Sequence, residues 1–170
     1  MRKIIQNFIR YTEAVSKAVG RFSQYIVFPM MGILLFESIS RTLFNRPHIW
    51  VVETSQFLMA AYYLLGGAYS MILDGHVRMD LLYGRLSKKR QGVADTITGP
   101  FMIFYLIFLL IGGISSIDYA IRYGQKNYTP WAPPLAPIKI IMAIGILLML
   151  LQAVVFFIKD IDKARGKESS

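Results

Sequence analysis

The chain has 170 residues, 55% of them hydrophobic and only 17% charged, with Lys+Arg 19 against Asp+Glu 10 and a net charge of +9. A soluble domain carries about 25% charged residues, and a basic nucleic-acid-binding domain spreads Lys and Arg over a solvated face; here long uncharged stretches separate them. The absence of cysteine excludes disulfides, thiolate catalysis and thiolate metal sites, and two histidines leave little scope for imidazole ligation.

The first element precedes any long apolar run. Ile4, Ile5, Phe8, Tyr11, Val15 and Val19 recur at helical spacing, with Lys3, Asn7, Arg10, Glu13 and Lys17 taking much of the other side. Residues 1–20 are therefore predicted to form an amphipathic helix. Two placements are open: flat at the cytoplasmic interface, or an extension of the first span into the cytoplasm.

Four apolar stretches follow, at 22–43, 54–73, 96–117 and 138–158. About 20 residues rising 1.5 Å each cross the roughly 30 Å hydrocarbon layer, so each stretch fits one crossing. The first starts late and has no small-residue cleavage pattern behind it, so it is read as an anchor that stays. Pro29 inside it predicts a kink. Glu37 is the only carboxylate well inside an apolar run, and Arg41 follows at i+4 on the same face. One reading is a proton or ion coupling site. The other, favoured because an adjacent guanidinium pins a carboxylate ionised, is a structural pair or a partner contact.

The second span is entered through Trp50 and Glu53, where Glu53 is expected to favour the helix dipole. Gly66 with Ser70, and Gly112 with Ser116, are small residues four apart that suit close helix packing. Between spans two and three lies the connection 76–92, predicted to be a second amphipathic interfacial segment. Asp74, His76, Arg78 and Asp80 form its polar cluster, read as a charged network tying the loop to a neighbour rather than as a metal site. The connection before span four holds Tyr119, Tyr123, Tyr128 and Trp131 with Pro130, Pro133, Pro134 and Pro137. Proline this dense predicts an extended or turn segment. A polar tail, 159–170, ends the chain.

Of the 19 basic residues, 14 fall in the two tails and the 76–92 connection. The positive-inside rule then places both termini in the cytoplasm. The fold class is an all-α integral membrane protein: one membrane domain over 1–170, four transmembrane helices, both termini cytoplasmic, with amphipathic interfacial helices. His48 and His76 fall on opposite sides and cannot jointly ligate one haem or metal. No nucleophile–base arrangement and no phosphate-binding loop is present, so neither an enzyme nor a cofactor is expected, and no nucleic-acid partner.

Four short-linked spans with almost no midplane charge leave little for an independent transport path. That favours an accessory or scaffold subunit held against a larger membrane partner. The rival is a small homodimeric ion-coupled carrier using Glu37. The residues Trp50-Val51-Val52-Glu53, Gly66-Gly67 and Gly75-His76-Val77-Arg78-Met79-Asp80, with the proline and tryptophan stretch around Trp131 and Pro134, lie in an order that resembles the small membrane subunit of tripartite ATP-independent periplasmic (TRAP) transporters, the DctQ-like family. The resemblance covers nearly the whole chain. It implies residence in the bacterial inner membrane and pairing with a large DctM-like membrane subunit that carries substrate and sodium sites and moves like an elevator. It also implies a periplasmic substrate-binding protein that delivers an organic acid, such as a dicarboxylate or a sugar acid like sialic acid. On this view Glu37, Arg41, Trp50, Glu53, His76, Arg78 and Asp80 are expected to orient or contact the large subunit. Trp50 and the stretch around Trp131 are expected to touch the binding protein, and membrane lipids cover the rest.

Overall fold

The computed structural model of the protein describes residues 2–73 and 88–164, with side chains over 6–73 and 97–162. His76, Arg78 and Asp80 and most of the 76–92 connection lie outside the described residues. Among the described residues there are five helices: α1 (Arg2–Tyr25), α2 (Val27–Phe44), α3 (Ile49–Ile72), α4 (Lys88–Arg122) and α5 (Ala136–Ala164).

Among the described residues, three helical stretches are long and apolar enough to cross a membrane: Gln6–Phe44, Ile97–Arg122 and Ala136–Asp162. α3 has the length for a fourth, about 36 Å at 1.5 Å per residue, and is on average as apolar as α5. The helices form a row in the order α4, α5, α3, α2, with α1 against both α3 and α5. α3 is thus flanked by three other helices. The row is not closed into a ring, because α2 packs on α3 and the end of α1 while α4 packs on α5. The core lies between α3, α4 and α5, where Met71, Leu106, Ile146 and Ala153 are buried and Met102, Met142 and Met149 fill the gaps around them.

α1 and α2 are one long rod with a single interruption at Ile26. The Ile26 N–H donates to the Ser23 carbonyl at 3.0 Å, a tighter i−3 bond. The interruption falls one turn before Pro29, whose ring nitrogen has no hydrogen to offer the Tyr25 carbonyl, while Ile26 itself keeps helical dihedrals. Asn45, with φ 50°, closes α2 in the left-handed region and donates its N–H to the Ser40 carbonyl.

α1 packs on its neighbours through small residues rather than through its aromatic stripe. Thr12, Ser16, Gly20 and Ser23 are buried, while Phe8 and Tyr11 are exposed. Small residues let α1 approach α3 closely: a methyl group on Gly20 would overlap the Tyr69 side chain, and one on Gly66 would sit 3.5 Å from the Ser23 hydroxyl. At its other end Glu13 forms an ion pair with Lys159 of α5. α1 therefore runs antiparallel to α3 and α5 along their C-terminal ends, and both ends of the chain lie at one end of the row.

A second close crossing, also away from the two small-residue pairs, joins α3 and α5. A Cβ on Gly145 of α5 would lie 2.6 Å from the Leu64 carbonyl oxygen of α3. Here two backbones touch, and only glycine fits. Gly112, by contrast, faces open space.

Candidate functional site

At the end of the row opposite the chain termini, α2 turns into α3 and the α4–α5 connection folds beside them. Together they line an open pocket of about 340 Å³ whose walls include Glu37, Arg41, His48, Glu53, Gln56 and Pro130.

Glu37 is central to this end. Its side chain is only 16% exposed. The backbone N–H of His48 donates to its two carboxylate oxygens at 3.1 and 3.2 Å, and His48 Nδ1 lies 3.1 Å from Oε2. His48 is the N-cap residue of α3 and offers no side-chain cap of its own. Glu37 thus reaches back from α2 to satisfy a backbone donor at the start of α3, where negative charge also meets the positive end of the helix dipole. The expected Glu37–Arg41 pair does not form: Arg41 is exposed, and Glu37 binds His48 instead. Spacing at i+4 made the pair available, but the Pro47–His48 turn brings better-aligned donors to the carboxylate. The dipole role expected of Glu53 likewise falls to Glu37, because Glu53 sits beyond the first turn of α3 and the dipole effect fades within that turn.

Glu53 does something different. It is 3% exposed, and neither carboxylate oxygen has a hydrogen-bond partner among the described residues. A buried polar group without a partner is costly, so Glu53 is a strained feature of this end of the protein. Trp50 lies on the surface beside it. Its ring meets the His48 ring edge-on at 6.2 Å, and Phe36 lies against His48 at 5.4 Å with the rings tilted by 43°. The Phe36–His48–Trp50 cluster holds the imidazole against Glu37.

The α4–α5 connection is clamped rather than loose. The Leu135 N–H donates to the Gln125 carbonyl and the Asn127 N–H to the Pro133 carbonyl, both at 3.0 Å. Lys139, in the first turn of α5, donates to Gln125 Oε1 at 2.6 Å and to the Ser116 carbonyl at 3.3 Å. Gly124 and Ala132, at φ 54° and 47°, supply the reversals. The expected extended or turn segment is therefore a pinned loop, which presents Tyr128 and Trp131, 99% and 48% exposed.

Glu37, Arg41 and Glu53 thus share one pocket, Trp50 flanks it, and Trp131 follows Pro130 in its wall. Sequence reasoning gave His48 no role and missed Gln56. A histidine between a proline and the first turn of an apolar helix was the available signal for a capped helix start. Among the described residues no group of three His, Asp or Glu side chains is placed to hold a metal ion.

No curated protein and no solved structure matches the chain. The family described as "Tripartite ATP-independent periplasmic transporters, DctQ component" matches residues 30–163, from the start of α2 to the end of α5. This protein belongs to the DctQ family, the small, non-catalytic membrane components of TRAP transporters.

Proposed function

We propose that the protein is the stationary scaffold subunit of a sodium-coupled, binding-protein-dependent uptake transporter for an organic acid, a dicarboxylate or a sugar acid such as sialic acid. It sits in the bacterial inner membrane as four spans with both termini in the cytoplasm. A large DctM-like subunit packs against it and carries substrate and sodium, and a periplasmic binding protein docks on its outer end. The observation that carries this reading is the open row of helices. α2 and α4 stand at opposite edges and expose Phe28, Met31, Leu35 and Ile39 on one, and Phe101, Tyr105, Phe108 and Ile111 on the other. An open row offers broad apolar faces to a partner and encloses no passage of its own. A moving transport domain needs such a fixed neighbour.

The pocket end is assigned to partner contact. Glu37 positions the α2–α3 turn, Arg41 offers an exposed charge beside it, and Trp50 and Trp131 offer aromatic surface of the kind enriched in interfaces. His76, Arg78 and Asp80 are assigned to the large subunit on the resemblance alone. Trp131→Ala is expected to weaken capture of the binding protein by the assembled transporter about tenfold or more, as loss of an interface tryptophan worth about 2 kcal/mol would, with membrane assembly intact. Surface-immobilised complex and soluble binding protein measure this directly. Unchanged association and unchanged uptake would remove Trp131 from the docking surface.

A further inference from the structure

α1 presents three faces. One is the buried stripe Thr12, Ser16, Gly20 and Ser23. The second is basic: Arg10, Lys17 and Arg21 are all exposed and, at 3.6 residues per turn, fall within about 40° of one another. The third is aromatic, made of Phe8, Tyr11, Phe22 and Tyr25, all exposed. Glu13 is the single carboxylate of α1 and is taken by Lys159. Arg10, Lys17 and Arg21 have no ion-pair partner among the described residues.

The neighbours of α1 fix the level of this stripe. Lys159 follows the last apolar residues of α5 and meets Glu13. Gly20 meets Tyr69, one turn before α3 ends. The level at which α3 and α5 cease to be apolar therefore lies between Glu13 and Arg21. Lys17 sits at that level, with Arg21 about 6 Å to the apolar side and Arg10 about 10 Å to the polar side.

We infer that this stripe binds the headgroups of anionic phospholipids in the leaflet facing the chain termini. Lys and Arg near an apolar–polar boundary extend to lipid phosphates, and each contributes attraction to an acidic leaflet. A phospholipid also supplies the acyl chain that covers Phe22 and Tyr25, whereas an acidic protein segment would leave those rings uncovered. The inference rests on the membrane-spanning reading and not on the partner role, and α1 lies outside the segment matched to the family.

The test uses the intact chain in phosphatidylcholine bilayers, with spin-labelled phosphatidylglycerol or phosphatidylcholine reporting the lipid held at the protein surface. Wild type is expected to prefer phosphatidylglycerol about threefold or more at low salt, with the preference falling as salt screens the charges. Arg10→Gln, Lys17→Gln and Arg21→Gln combined should lower it by about half, the other basic residues of this end holding the remainder, while Lys126→Gln at the opposite end leaves it at the wild-type value. Should the triple variant fail to insert, Lys17→Gln alone is expected to lower the preference and Arg21→Lys to retain it. Absence of preference in wild type, or its undiminished survival in every Gln variant, overturns the assignment. So does protection of these residues that appears only when a partner protein is added, which would make an acidic protein surface the occupant.

Discussion

Gly145→Ala is expected to destabilise the protein by about 1–3 kcal/mol, while Gly112→Ala leaves it unchanged or stabilises it by up to about 1 kcal/mol. Both substitutions replace glycine inside a helix, and helix propensity alone favours alanine at both. The difference is what the new methyl group meets. At Gly145 it would lie 2.6 Å from the Leu64 carbonyl oxygen and 2.9 Å from its carbon. Those are backbone atoms of α3 with no rotamer to change, so α3 and α5 must separate. Their separation loosens the packing of Ile146 and Met149 along the same seam. At Gly112 the methyl group meets nothing within 4 Å. Unfolding of the purified chain in detergent, followed by loss of helical signal, compares the two. Equal midpoints for both variants would mean that the α3–α5 seam is not closed by a backbone contact.

Glu37 gives the second large effect. Glu37→Ala removes the acceptor for the His48 backbone N–H and for its ring, and it removes negative charge from the start of α3. Hydrogen bonds to a charged group contribute about 1.5–3 kcal/mol, and a loss of that order is expected. Glu37→Gln keeps an acceptor of similar shape and should lose less than half as much. The same pair separates structure from coupling. With Glu37 engaged by His48, the Gln variant should retain ion-dependent uptake when assembled with its partners. Complete loss of ion dependence, with assembly intact, would instead make Glu37 a coupling group and revive the small-carrier reading.

How far the chain could be read beforehand depended on the range of the interaction. Long apolar runs bounded by charge located α2, α4 and α5, because crossing a bilayer is a constraint each helix meets by itself. α3 was located as well, but that α1, α2 and α5 flank it on three sides was not visible. Glu37 was singled out correctly as a carboxylate in need of a partner. Its partner was misassigned because i+4 spacing is visible in sequence, whereas closure of the Pro47–His48 turn is not. The same limit applies to glycine. Gly66 and Gly112 had suggestive local spacing, yet the closest approaches are at Gly20 and Gly145, and what faces a glycine is decided by helix crossing rather than by neighbours in sequence. On α1 the helical period was legible, but the packed face was not, since small polar residues were preferred to larger apolar ones where α3 and α5 approach closely.

A scaffold subunit would supply a fixed surface and leave the solute pathway to its partner. Solute uptake into proteoliposomes separates the two, with the chain alone, the large membrane subunit alone, and both together. Binding protein, a sodium gradient and a panel of radiolabelled dicarboxylates and sugar acids are present in each. Uptake is expected only when both membrane subunits are present. Uptake by this chain alone would contradict the scaffold role, and uptake by the large subunit alone at the full rate would show that the scaffold is not needed.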